Sequence, residues 1–347
     1  MKLGFHLGYW SSGPPRDAAA LVRAVEDLGY DSIFSAESYG SDCFTPLAWW
    51  GAETSRITLG TNVTQLSART PAATAMAAMT LDHLSDGRFV LGLGVSGPQV
   101  VEGWYGVPYA KPLARTREYV DIVRRIVARE APVTSDGTHY PLPVPGGTGL
   151  GKPLRSTLHP RRVDLPIYLG AEGPKNVALA AEIADGWLPL FFSPKTDEFY
   201  RAALAEGFNR PGARCTAADF EVAASVPMIV DDDVERAADR IRPMLALYVG
   251  GMGAKDANFH LDVFARMGWE SVCATVQDLY LAGRKAEAAA AIPLEMVDDV
   301  ALVGPAERVR EQVSQWEKTV VTTLLVQATP FAGDDLAGLR AIAEALL

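Results

Sequence analysis

Short apolar runs alternate with amphipathic stretches along most of the chain. Over residues 2–8, Leu3, Phe5 and Leu7 fall on one side and Gly4, His6 and Gly8 on the other, which is the period of a strand. Pro14 and Pro15 then open a helix that runs to Leu28. Leu21, Val25 and Leu28 form its apolar stripe, and Gly29 stands at a natural C-terminal stop. The rhythm repeats with strands at 32–36, 57–64 and 88–95 and helices at 46–55, 71–84 and about 113–129. It resumes with strands at 165–170, 186–191 and 220–230 and helices at 174–184 and 197–206. A strand at 322–327 and a helix at 335–346 close the pattern.

Two stretches break this order. Residues 131–164 are rich in Pro, Gly and Arg and read as an excursion. Residues 232–318 form a long helical region interrupted near 250–253 and 301–305. The strands thus begin near residues 2, 32, 57, 88, 165, 186, 220 and 322, each followed by helix. Such alternation requires a parallel sheet with right-handed crossovers. Eight units favour a closed (β/α)8 TIM barrel over an open doubly wound sheet. The expected architecture is therefore α/β, one domain over 1–347, with insertions after strands 4 and 7. In such barrels the chemistry gathers at the C-terminal ends of the strands.

Composition narrows the function. Of the 347 residues, 48% are hydrophobic and 21% charged, which supplies a large core and excludes disorder as the main state. The apolar runs are too short to span a bilayer, and the N-terminus has neither a long apolar stretch nor a small-residue cleavage site. A cytoplasmic protein without membrane partners is expected. Lys plus Arg is 32 against 42 Asp plus Glu, and a net charge of -10 without a dense basic run argues against nucleic-acid binding. Cys43, Cys215 and Cys273 are odd in number, far apart and free of any CxxC pair, so neither disulfides nor zinc are expected. His6, His83, His139, His159 and His260 lack metal-ligand spacing. His6 alone shares a strand face with two glycines, and if that face lines the barrel its imidazole enters the pocket.

Two glycine motifs are decoys. Residues 92–97 match GxGxxG after a strand, yet no strand ending in Asp or Glu follows at the distance that a dinucleotide site needs. Its glycines still let backbone approach a ligand at a strand end. Residues 146–152 imitate a phosphate-binding loop up to Lys152. Pro153 then stands where a hydroxyl is required, and no strand precedes the loop, so a flexible loop or lid is the better reading.

The strand-end segments together resemble the luciferase-like flavin and deazaflavin family. They are GYDSIFSAE (29–37), LGTNV (59–63), TLDHLSDGRF (80–89), LGLG (91–94) and AEIADGW (181–187). Each is weak singly; their order and spacing are specific and cover essentially the whole chain. VSGPQVVEGWYG (95–106) is similar to the branch that uses coenzyme F420, which includes methylene-tetrahydromethanopterin reductase.

The resemblance implies a cofactor at the top of the barrel: coenzyme F420, or FMN as the alternative. It implies a non-prolyl cis peptide after strand 3, here Asn62–Val63, forming a bulge that supports the ring. It places the cofactor phosphate between the loops after strands 4 and 5. Those loops hold Ser96, Gly97, Pro98 and Gln99, and Gly170, Ala171, Gly173, Pro174, Lys175 and Asn176. Physics agrees, since Gly173 and Pro174 open a helix whose free N–H groups favour an anion. Glu172 is awkward beside a phosphate, so its side chain is expected to point away. Several deazaflavin-dependent relatives carry a His at the end of strand 2, where this chain has Ser38 after Glu37. That His role does not transfer, although Ser38 remains a cofactor contact by position.

The expected function is hydride transfer between F420 and a small organic substrate. His6 is the first candidate for proton transfer or substrate orientation. Glu37 stands behind it, either as an acid or in a local hydrogen-bond network. The excursion at 131–164 and the segment near 250–253 are candidate substrate covers. Trp10, Tyr39, Trp49, Trp104 and Trp187 are candidate apolar walls, against the commoner fate of core packing. The alternatives are an FMN-dependent monooxygenase using O₂ and a silent cofactor-binding barrel. A homo-oligomer, by family habit a dimer, is expected.

Overall fold

The computed structural model describes residues 1–8, 10, 12–15, 17–253, 258–327 and 336–347. The strands are β1 (Lys2–Gly8), β2 (Ser32–Ser35), β3 (Thr58–Thr61), β4 (Thr64–Gln65), β5 (Phe89–Gly94), β6 (Ile167–Gly170), β7 (Gly186–Leu188), β8 (Glu221–Val230), β9 (Leu302–Gly304) and β10 (Thr323–Gln327). Eight of them, β1, β2, β3, β5, β6, β7, β8 and β10, pair in parallel order. The sheet closes because β10 bonds both β8 and β1. These are the eight strands that the alternation predicts, and the fold is the (β/α)8 barrel.

Two short strands were not expected as separate elements; the expected strand at 57–64 spans β3 and reaches Thr64 of β4. β4 is two residues beyond β3 and pairs with the end of β5. β9 pairs with the overhanging end of β8, Met228 opposite Leu302.

The helices of the first half are α1 (Ala18–Asp27), α2 (Phe44–Gly51), α3 (Pro71–Leu84), α4 (Pro98–Gly103) and α5 (Pro112–Ala128). Then come α6 (Pro174–Ile183) and α7 (Asp197–Phe208). The helices α8 (Val234–Gly250), α9 (Phe259–Arg266), α10 (Glu270–Leu281), α11 (Lys285–Ala290) and α12 (Leu294–Asp298) form an insert between β8 and β9. The remaining two are α13 (Ala306–Trp316) and α14 (Leu336–Leu346). α1 starts at Ala18 and not at the two prolines, because Asp17 takes a φ of 53° and turns the chain first. The expected start of the last helix, Asp335, lies outside the described residues.

The barrel interior fills by complementing large with absent side chains. The ring of Phe34 occupies the space over Gly60, where a Cβ would come within 2.2 Å of it. Phe34, Leu188, Ala223 and Leu325 are buried there together. The main core lies between strands and surrounding helices, while Ile241, Leu245, Val249, Phe264, Val276 and Met296 build a second core inside the α8–α12 insert. Burying each such side chain stabilises by about 1.5–3 kcal/mol.

The excursion leaves from the end of α5, at the N-terminal side of the strands. Its only regular pairing among the described residues is two antiparallel bridges, Val133 with Leu154 and Ser135 with Leu142. Glu118 of α5 accepts the amides of His139 (2.8 Å) and Tyr140 (3.1 Å). His83 of α3 meets the carbonyl of His159 at 2.8 Å, and Arg162 pairs with Asp82 at 2.8 Å. The contacts of residues 133–142 and 154–162 thus run along α3 and α5, on the flank of the barrel.

Candidate active site

The strands end in a ring of polar groups. β3 stops at Thr61, and the next peptide bond, Asn62–Val63, is cis. The Asn62 amide donates to Ser35 O at 2.7 Å, and its Nδ2 donates to Ser225 Oγ at 2.9 Å. The space around this bulge exists because three neighbours lack side chains. A Cβ on Gly92 would lie 1.8 Å from Thr61 O, one on Gly94 2.5 Å from Val63 Cγ2, and one on Gly170 3.0 Å from Val63 Cγ1. The GxGxxG decoy thus has a steric explanation at its first two glycines.

His6 sits beneath the bulge. Its Nδ1 receives the Gly8 amide at 3.1 Å and Gln327 Nε2 at 2.8 Å, while Nε2 faces Asn62 O at 3.3 Å. Two donors on Nδ1 assign the proton to Nε2, which donates to the bulge carbonyl. The ring lies deep in packed surroundings while keeping some access to the barrel mouth. Burial lowers its pKa from 6.5 to about 4, only partly offset by the Asn62 carbonyl, so the imidazole is neutral near pH 7. Gln327 and Ser225 were not singled out from sequence. The available signal is a polar residue in an apolar run: Ser225 interrupts VAASVPMIV in β8, and Gln327 ends the run of β10.

Glu37 is buried and fully engaged. Its carboxylate accepts the Gln65 amide at 2.8 Å and Arg69 Nη1 at 2.9 and 3.0 Å. Gln65 Nε2 in turn donates to the carbonyls of Glu37 and Ser38, and Tyr105 OH donates to Ser38 O at 3.2 Å. This is the network alternative for Glu37. Arg69 also pairs with Asp42. Burial pushes the Asp42 pKa up, but hydrogen bonds from Thr45 and the Arg69 charge outweigh it and leave it lowered. Glu37, Asp42 and Cys43 stand close enough to hold a cation, yet Arg69 already meets both carboxylates. Burial raises the Cys43 thiol well above its ordinary pKa, and all three cysteines are free.

The two loops expected to hold phosphate flank one cleft, lined by Leu93, Gly94, Val95, Gly170, Ala171 and Asn176 among others. Ser96 takes a φ of 60° and turns the chain so that Gly97 caps α4, with Pro98 and Gln99 in its first turn. Gly173 caps α6, Pro174 opens it, and the Gly173 and Lys175 amides have no partner among the described residues. Lys175 is exposed. Glu172 turns instead to His260 of α9, 2.8 Å away.

The aromatic candidates divide. Trp187 is fully buried, donates to Ala171 O at 2.8 Å and packs on Tyr200, so it supports the loop from the core and is not a wall. Trp10 packs on Trp50. Tyr39, Trp49 and Trp104 are exposed. Among the described residues no helix is long and apolar enough to cross a membrane.

Comparison with known proteins identifies the family. The luciferase-like monooxygenase family model matches residues 3–323. A Mycobacterium tuberculosis protein provisionally named a coenzyme F420-dependent oxidoreductase is 59% identical over 94% of this chain and 95% of its own length. The 5,10-methylenetetrahydromethanopterin reductase of Archaeoglobus fulgidus is 29% identical over 94% of this chain and 93% of its own length. The solved structure of a coenzyme F420-dependent tetrahydromethanopterin reductase from Methanopyrus kandleri superposes with a TM-score of 0.83 at 22% identity, covering 99% of this chain and 98% of that one. With the parallel barrel already described, the match over residues 3–323 establishes that this chain belongs to the luciferase-like monooxygenase family.

Proposed function

We propose that the chain is a coenzyme F420-dependent oxidoreductase that moves a hydride between the deazaflavin and a small organic substrate. The observation that carries this reading is the Asn62–Val63 bulge, cleared of side chains by Gly92, Gly94 and Gly170, beside the unpaired amides of Gly173 and Lys175. The 59% identical relative named for F420 supports it. A ring and a phosphate fit these two features. Asn62 and Val63 would back the ring, with Ser38 at the rim. Ser96, Gly97, Pro98 and Gln99, facing Gly170, Ala171, Gly173, Pro174, Lys175 and Asn176, would hold the phosphate.

When bound, the deazaflavin supplies a ring carbon that carries hydride. The chain supplies binding, orientation and exclusion of water. His6 orients: as a neutral Nε2–H donor it sets the Asn62 carbonyl, and its Nδ1 is already saturated. Glu37 acts through Gln65 on the Ser38 backbone. Neither requires a proton transfer of its own.

The family description favours one further reading, an FMN-dependent monooxygenase. Equilibrium titration of the purified protein with F420 and, in parallel, FMN, followed by fluorescence, separates the two. Micromolar or tighter F420 binding with weak FMN binding supports the proposal; the reverse overturns it and directs assays to O₂ consumption. Tight binding without redox change across a substrate panel favours a silent binding barrel. A cytoplasmic homodimer completes the reading, and light scattering tests the dimer.

A further inference from the structure

Glu172 is gripped at two points by α9. His260 Nδ1 lies 2.8 Å from its Oε1, an ionic contact off the hydrogen-bond direction. Arg266 Nη2 donates to its carbonyl at 3.2 Å, and Tyr200 OH of α7 lies 3.5 Å from the same oxygen. Phe191 and Tyr248 of α8 pack edge-on against the imidazole, with centroids 6.0 and 4.9 Å away. The other carboxylate oxygen, Oε2, is buried without a hydrogen-bond partner. Its neighbours Gly170, Ala171 and Asn176 line the cleft between β5 and β6, whereas Glu172 does not. An acidic residue within a loop that offers amides to an anion thus faces a histidine of the helical insert.

We propose that His260 is a positioning residue: its ion pair keeps the Glu172 carboxylate away from the Gly173 and Lys175 amides, so anion binding at this loop depends on the pair. The inference rests on the reading of that loop as the phosphate site. Without a counter-charge, the buried carboxylate has the unpaired amides of its own loop as available donors, and it would occupy or repel what an anion needs. Among the described residues, the charged and titratable groups facing His260 are Glu172 from the β6–α6 loop, Tyr248 from α8, and Arg266 through the Glu172 carbonyl. Burial disfavours the imidazolium, but the attraction of Glu172 outweighs it and raises the His260 pKa above its ordinary 6.5. The pair is therefore intact below that raised pKa and is lost as pH rises through it.

The test measures dissociation constants for F420 by fluorescence and for inorganic phosphate by calorimetry between about pH 6 and pH 9. It compares the wild type, His260→Gln, Glu172→Gln and the double variant, each checked for native circular dichroism. Wild-type affinity for the anion should weaken about tenfold towards high pH. His260→Gln should be weak throughout, Glu172→Gln should be tight and lose this pH dependence, and the double variant should recover the affinity that His260→Gln loses. Comparison among variants cancels the ligand's own ionisation. A double variant no tighter than His260→Gln, or a wild type without this dependence, overturns the proposal. Phosphate binding with this pattern but no F420 binding retains the His260 role and rejects the cofactor reading. Absence of binding by both anions rejects the phosphate site and this proposal with it.

Discussion

The Nε2–H of His6 donates to the carbonyl oxygen of Asn62 at 3.3 Å, joining the first strand to the bulge after the third. Gln327, at the end of the last barrel strand, completes the imidazole from the other side at 2.8 Å. Three strand ends are thereby locked through one neutral ring, and Asn62 extends the chain of contacts to Ser225 on β8. The ring's protonation state is consequently part of the shape of the site.

This predicts an acid-sensitive site. The folded-state pKa of His6 is about 4 against an ordinary 6.5, so the unfolded chain takes up the proton first as pH falls. Its contribution is fully present above pH 6.5 and is lost between there and about pH 4. Allowing for the ring's partial access to solvent, the loss is about 2 kcal/mol. Urea unfolding of wild type and His6→Gln at a series of pH values should show a steeper acid loss in the wild type. Parallel profiles would mean that His6 is not the group responsible.

Gly94→Ala should displace the bulge without unfolding the barrel. The added methyl meets Val63 Cγ2 at 2.5 Å, and that side chain has Gly170 on its other flank. A shift of about 1 Å in the ring's support is expected to cost roughly a hundredfold in turnover. Circular dichroism should remain native, whereas F420 binding and turnover fall. Unchanged binding would remove the bulge from the cofactor site.

Arg69→Ala should destabilise through Glu37. The carboxylate side chain is 4% exposed and would be left buried without its cation, at a cost of about 3–5 kcal/mol. The melting temperature should drop by several degrees, and the double variant Glu37→Gln with Arg69→Met should regain much of that loss. If the double variant is as unstable as the single one, the penalty lies in packing and not in the charge.

Lys175→Ala should act weakly and in a salt-dependent way. The side chain is exposed, so screening limits its attraction for a phosphate. About a threefold weakening of F420 binding at low ionic strength, vanishing at high salt, is expected. A salt-independent loss would indicate direct hydrogen bonding instead.

Much of the barrel was legible because its signals are local. Alternation over β1, the stripe of α1 and the stop at Gly29, which takes a φ of 94°, depend on neighbours a few residues away. β4 merged into the expected strand at 57–64 because two residues carry no period of their own, and β9 escaped because its three residues, Leu302–Gly304, sit inside a helical region. The direction of Glu172 was also expected, since charge excludes a carboxylate from an anion loop. Its partner His260 was not, because 88 residues separate them in the chain and His260 lies inside the helical insert.

The sequence by itself determined the eight strand–helix units, the acidic charge balance, and the glycines and polar residues gathered at the strand ends. Only the tertiary structure decided what each of those residues does. Trp187 went to the core, the excursion went to the flank, and Glu37 went to Arg69 and Gln65. The reason is physical. Backbone periodicity follows from local sterics and hydrophobic pattern, whereas tautomer, ion pairing and access follow from which distant strand ends closure brings together. His6 became a fixed Nε2–H donor when Gln327 arrived 321 residues later to occupy its other nitrogen.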